Sequence, residues 1–198
     1  LIVLTCYKSF LQNMFRPIQK EALFYQDYLY LLDYAKVYAL GVVKADTEEV
    51  MRGFSSMVNG ILNGEMSIHR SYMKRLGVTQ EEIKNAKASL DNISYTHYML
   101  AVSYTGSLAD LTVSLLSCMW SYLEIGTHLS KIPGSTENEF YGEWIRGYIS
   151  KEYKELTQWV IDLTDKLACD MSEKELKKLE EIFVNTSKYE YMFWDMAY

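Results

Sequence analysis

The chain is poor in the residues that end helices. Its 198 residues include only two prolines, Pro17 and Pro133, and neither interrupts a long periodic segment. A proline inside a helix costs roughly 3 kcal/mol, so long helices meet little opposition here. Basic runs are also missing, and the net charge is −6. That argues against nucleic acid as a partner, because phosphate binding needs clustered cations. The three cysteines, Cys6, Cys118 and Cys169, form no CxxC pair. Zinc ribbons and thioredoxin-like centres therefore lack their ligands, and a reducing cytoplasm is the expected compartment. No alternating strand with hairpin chemistry stands out, since the Asn-Gly dipeptides at 59–60 and 63–64 fall inside a helical pattern. The apolar run at 1–4 is too short for a signal segment or a membrane span. No membrane partner is expected, and a chain beginning at Leu1 is expected to carry an incomplete first helix.

With 49% apolar and 23% charged residues, the composition is that of a globular domain. A chain of this length buries roughly 70% of its unfolded surface. Asp46 with Glu49, Thr79 with Glu82, and Ser172 with Glu175 each read as a cap followed three residues later by Glu. Gly77, Gly106 and Pro133-Gly134 read as stops. These marks predict long helices near 20–45, 47–76, 91–105, 108–131, 136–147, 151–169 and 173–197. A weaker helix is expected near 3–14 and a short turn near 80–87. With no repeat and no linker, residues 1–198 read as a single-domain, all-α helix bundle.

Seventeen tyrosines are a heavy load for a bundle, and most belong in the core with a partner for each hydroxyl. Three segments set ionisable groups among apolar ones. Asp27 and Tyr30 share a helical face beside Leu23, Phe24, Leu31, Leu32 and Tyr34. A carboxylate there either bonds a neighbouring helix, faces solvent or serves a site. Cys118 shares a face with Ser114, Ser121 and Tyr122, small and polar residues that leave room for a ligand. A lone buried cysteine is otherwise a small hydrophobe. No Lys or Arg adjoins Cys118, so an activator has to come from another helix. Glu190 lies one turn before Phe193 and Trp194. Aromatic cover raises a carboxyl pKa towards the range of a general acid; the alternative is an amphipathic helix showing Glu190 to water. Glu65/His69 and Glu124/His128 are Glu-to-His pairs at four-residue spacing. Ferritin-type sites use Glu-x-x-His with further carboxylates, so no metal is expected, and His69 is expected to hydrogen-bond within the core.

Several stretches, taken in order, resemble the TenA family, the thiaminase II or aminopyrimidine aminohydrolase proteins. They are residues 26–31 (Gln-Asp-Tyr-Leu-Tyr-Leu), Gly64-Glu65-Met66 through His69, Ser94-Tyr95-Thr96, and residues 118–122 (Cys-Met-Trp-Ser-Tyr). Trp144-Ile145 through Tyr148 and the ending from Tyr189 to Tyr198 complete the set. The similarity runs from about Gln26 to the end, while the first twenty-odd residues match poorly. The resemblance implies a haem oxygenase-like fold, a homotetramer and a hydrolase of thiamin salvage that needs no cofactor. It also implies roles. Cys118 is the nucleophile of the cysteine-containing branch, and Glu190 the acid/base. Asp27 bonds the pyrimidine, Tyr30 stacks near its ring, and Tyr95 and Tyr122 offer hydroxyls. Tyr148 orients the acid/base and the nucleophile. The substrate is expected to be thiamin or a related aminopyrimidine. Competing readings are an iron-dependent oxidase on the same scaffold and a non-catalytic pyrimidine-binding or regulatory protein.

Overall fold

The computed structural model describes residues 20–196. The helix expected near 3–14, Cys6, Pro17 and the final pair Ala197 and Tyr198 lie outside the described residues. Among the described residues there are nine α-helices, one π segment and no strand. In order they are α1 (Lys20–Lys44), α2 (Glu48–Asn59), the π segment (Gly60–Glu65), α3 (Met66–Arg75) and α4 (Gln80–Asn85). Then follow α5 (Leu90–Thr105), α6 (Leu108–Leu129), α7 (Gly142–Tyr148), α8 (Lys151–Ala168) and α9 (Glu173–Met196).

Short hydroxyl side chains start most of these helices by accepting an otherwise unpaired N–H. Thr79 and Glu82 form the expected reciprocal box, and Ser172 and Glu175 do the same before α9. Ser89 and Ser150 cap α5 and α8. One start differs from the sequence reading. The cap of α2 is Thr47, which accepts from the Val50 amide, not Asp46 one residue earlier. Ser107 caps α6 with Asp110 in the place usually held by Glu. The helix expected at 136–147 is shorter, because Asn138 Oδ1 accepts from the amides of Phe140 and Tyr141. Such local side-chain bonds compete with the helical ladder and hold a turn instead.

The stretch expected as one helix over 47–76 is divided by the π segment. Gly60 and Gly64 lie within it, and a Cβ at either would meet nothing within 4 Å. The wider turn rotates α3 relative to α2. As a result α2 buries Phe54 and Met57, whereas α3 buries Met66, His69, Tyr72 and Met73.

At the centre, α6 is buried along nearly its whole length, packed by α1, α5, α7, α8 and α9. A helix that is apolar all round belongs in such a place. Among the described residues it is the one helix long and apolar enough to cross a membrane, and most of it is buried inside the bundle. Helix α1 meets α2 closely at Gly41, where an added Cβ would lie 2.4 Å from the ring of fully buried Phe54. Gly41→Ala is therefore expected to destabilise the fold by about 1–2 kcal/mol, overpacking outweighing the gain in helix propensity. Urea unfolding checks this; an unchanged or raised midpoint would mean that the α1–α2 contact is looser than described.

Candidate active site

One face of α1 carries Asp27, Tyr30, Leu31, Tyr34 and Tyr38, spaced three and four residues apart, and all line a cavity of about 490 Å³. From α6, Cys118, Met119 and Tyr122 line the same space. The serines near Cys118 are occupied. Ser121 donates to the Cys118 carbonyl at 3.0 Å, and Ser117 Oγ lies 3.2 Å from Tyr95 Oη. Rings pack along the cavity wall: Tyr30 meets Tyr34 there at 5.1 Å and Tyr95 behind it at 5.2 Å. Tyr122 packs on Tyr148 and Trp144 at 4.8 and 5.8 Å.

Beside α1, the π segment and α3 present Glu65 and His69, one turn apart, to the cavity. Tyr148 Oη donates to Glu65 Oε1 at 2.7 Å. His69 Nε2 lies 3.3 Å from Asp27 Oδ2. Glu143 on α7, and Glu152 and Tyr153 on α8, complete that side. Among the described residues, no lysine or arginine lines the cavity.

Glu190 stands behind this wall rather than in it. It is buried on α9 between Thr186, Ser187, Phe193 and Trp194. Burial pushes its carboxyl up to about 8, against the pull of hydrogen bonding with Tyr95, Trp194 and Tyr122. Its Oε2 has no well-aligned donor. Burial likewise raises Asp27 to about 7. It pushes the Cys118 thiol well up; the nearby charge of Glu190 adds to this, while hydrogen bonding with Tyr30 opposes it. Glu65 is raised by burial and His69 is lowered by it. At neutral pH burial therefore favours the thiol of Cys118, the carboxylic acid of Glu190 and the uncharged imidazole of His69, with Asp27 close to its midpoint.

Of the residues singled out in the sequence, Asp27, Tyr30, Cys118, Tyr122 and Tyr148 come together on the cavity wall. Glu190 and Tyr95 lie behind it, near enough for Glu190 to act on Cys118, Tyr95 and Tyr122 by charge. The hydroxyl of Tyr148 is directed to Glu65. The sequence reading left Glu65 and His69 as a metal pair to be set aside, and it did not single out Tyr34, Tyr38 or Tyr153. Periodicity could have found two of these, since 27, 30, 34 and 38 form one helical stripe. His128 Nδ1 bonds the Glu124 carbonyl of its own helix. No group of three or more His, Cys, Asp or Glu placed to hold a metal ion occurs among the described residues.

The comparisons with known proteins agree with one another. The model of the TENA/THI-4/PQQC family matches residues 22–198. The aminopyrimidine aminohydrolase of Helicobacter pylori is 55% identical over 173 residues, covering 87% of this chain and 80% of that protein. The aminopyrimidine aminohydrolase of Halalkalibacterium halodurans is 49% identical over 173 residues, covering 87% and 77%. A TenA homologue from P. horikoshii OT3 superposes with a TM-score of 0.83 at 26% identity, covering 99% of this chain and 88% of that one.

The burial of Glu190 has a consequence for stability. Its folded pKa, about 8, lies above the ordinary 4.5, so the folded state holds the proton more tightly than the unfolded chain does. The resulting stabilisation is complete below about pH 4.5 and lost as pH rises through about 8. Glu190→Gln lacks that loss. Its melting temperature relative to the native chain is expected to climb between pH 5 and pH 9. A difference that stays flat or falls across that range would mean Glu190 is ionised in the folded state.

Proposed function

The chain belongs to the TENA/THI-4/PQQC family, and from that premise we propose that it is an aminopyrimidine aminohydrolase of the thiaminase II type, with Cys118 as nucleophile. It hydrolyses the methylene substituent of thiamin or a related aminopyrimidine to hydroxymethylpyrimidine. The observation that carries this reading is the single cavity lined by Cys118, Asp27 and stacked tyrosines. A flat, basic heterocycle suits such walls: rings cover its faces, and a carboxyl group matches its amino and ring-nitrogen edge.

The residue chemistry follows from the protonation states. Asp27 bonds the amino group and the adjacent ring nitrogen, and as the ring gains a proton it becomes electrophilic. A cationic ring or thiazolium favours ionisation of the acids beside it, and hydrogen bonding with Tyr30 favours the thiolate of Cys118. That thiolate adds to the ring carbon next to the one bearing the methylene. The C–N bond of the substituent breaks, and amine or thiazole departs with the bonding pair. Water then adds to the methylene carbon and gives up a proton. The carbon–sulfur bond breaks, and Cys118 is regenerated. Glu190 gives its proton to an amine leaving group and takes one from the water. Splitting one displacement into an addition and an elimination lowers each barrier. The residues named here need no metal or organic cofactor.

The same likeness supports reading the whole chain as one TenA-like domain, a cytoplasmic location and assembly as a homotetramer. Assembly would cover apolar side chains that a single chain leaves exposed, Trp120 and Met192 among them.

Steady-state turnover of aminomethyl-aminopyrimidine and of thiamin tests the proposal. Cys118→Ser is expected to lose roughly 10³-fold or more in kcat while keeping its helical circular dichroism. Turnover near that of the native chain would remove the cysteine from the mechanism. Glu190→Gln is expected to lose about 10²–10⁴-fold on the amine substrate. Its loss on thiamin should be smaller, since thiazole leaves without needing a proton. Equal losses on both would confine Glu190 to activating water. Tight binding without turnover by the native chain would indicate a binding protein, and stoichiometric iron after purification without chelators would count against the hydrolase.

A further inference from the structure

His69 takes no part in the chemistry above, yet its imidazole is 2% exposed and lines the cavity. Its Nε2 lies 3.3 Å from Asp27 Oδ2, while Nδ1 has no hydrogen-bond partner. The Phe24 ring packs edge-on against it at 5.8 Å. Burial drives this imidazole to its neutral form, although Glu65 one turn earlier pulls the other way. A neutral imidazole carries one N–H. Placed on Nδ1, that proton would be a buried donor with no acceptor, one of the costlier defects in a protein interior. On Nε2 it faces Asp27 Oδ2, 3.3 Å away, and Nδ1 keeps only an unused lone pair.

The bond has a directional effect. A carboxyl group rotates about its last torsion through a broad range unless something holds it. With Oδ2 engaged by His69, the plane of the Asp27 carboxyl is set. The groups that sense its charge are Glu65, Cys118, Tyr122 and Tyr148 on the cavity wall and Glu190 behind it. Each of these is a carboxyl, a thiol or a phenol, and none is a nitrogen base like the His69 imidazole. The imidazole is held in its turn at the start of α3. Glu65, anchored by the Tyr148 hydroxyl, keeps that turn against the cavity.

We propose that His69 is a positioning residue, which holds the Asp27 carboxyl by the Nε2–H bond in the orientation that meets the aminopyrimidine edge. This rests on the assignment of Asp27 to that edge, made under the proposed function. It makes His69 a determinant of affinity rather than of proton transfer. Stability alone does not require the pair, because buried polar pairs exchanged for apolar residues of similar volume often cost nothing.

The test uses the full chain and two readouts: calorimetric Kd for hydroxymethylpyrimidine, and kcat and KM for aminomethyl-aminopyrimidine. The variants are His69→Leu, Asp27→Asn and their combination, together with His69→Gln and His69→Asn. His69→Leu is expected to weaken binding and raise KM by about 10- to 100-fold, the cost of a misplaced binding group, with a smaller change in kcat. In the Asp27→Asn background the same substitution is expected to add less than about twofold, since a residue acting through another has nothing left to act on. Gln sets an amide N–H where Nε2 stood and should recover most of the loss; Asn sets its own where Nδ1 stood and should not. Should His69→Leu fail to fold, the contrast between Gln and Asn decides the matter alone. Losses that add across the two sites, equal behaviour of Gln and Asn, or a fall in kcat alone would overturn the proposal. Unchanged binding by Asp27→Asn would instead strike at the assignment of Asp27 and leave the hydrolase reading to Cys118.

Discussion

Removal of water from ionisable groups governs this protein. Asp27, Glu65, His69, Cys118 and Glu190 are gathered within one bundle interior, and among the described residues no lysine or arginine lines the cavity to offset the acids. With few neutralising partners, burial is the largest influence on every one of them, raising the acids and lowering the imidazole. A site built this way rests in a low-charge state that is cheap to bury. It also responds to what enters it, because a cation is the missing counter-charge. On the proposed reading, binding and activation are thus two aspects of one electrostatic event.

The central helix makes that arrangement possible. Because α6 is enclosed by five other helices, its side chains reach the cavity without meeting solvent, and Cys118 can sit at full depth. Small side chains around it give the space. Ser117 and Ser121 satisfy their hydroxyls on Tyr95 and on the helix itself, so they add room without leaving unpaired polar groups.

Much of this was legible in the sequence because it is local. The three- and four-residue spacing of Asp27, Tyr30 and Tyr34, the small residues flanking Cys118 and the aromatic cover after Glu190 all follow from helical geometry. Thr79 and Ser172 marked the starts of α4 and α9. What was not legible depends on contacts between distant residues or on competition of backbone forms. Nothing near Asn138 announces that its side chain, rather than a helical carbonyl, will take two amides. The pairing of Tyr148 with Glu65 spans 83 positions, and that of His69 with Asp27 depends on how α3 is rotated. Glu65 and His69 were visible as a pair four residues apart; what they face was not.

That rotation is the work of the wide turn at Gly60–Glu65. A π turn holds one residue more than an α turn, and each residue of a helix advances the side-chain direction by about 100°. The extra residue is a phase shifter between two halves of one rod. Excising a single amino acid there would leave the composition, the glycines' neighbours and the apolar stripe of α2 almost untouched. Yet it would swing the Glu65–His69 edge about a quarter-turn around the rod and strand Asp27 beside a different set of side chains. An insertion or deletion at that point would act as a dial on the cavity wall, and its setting is invisible to any count of residue types.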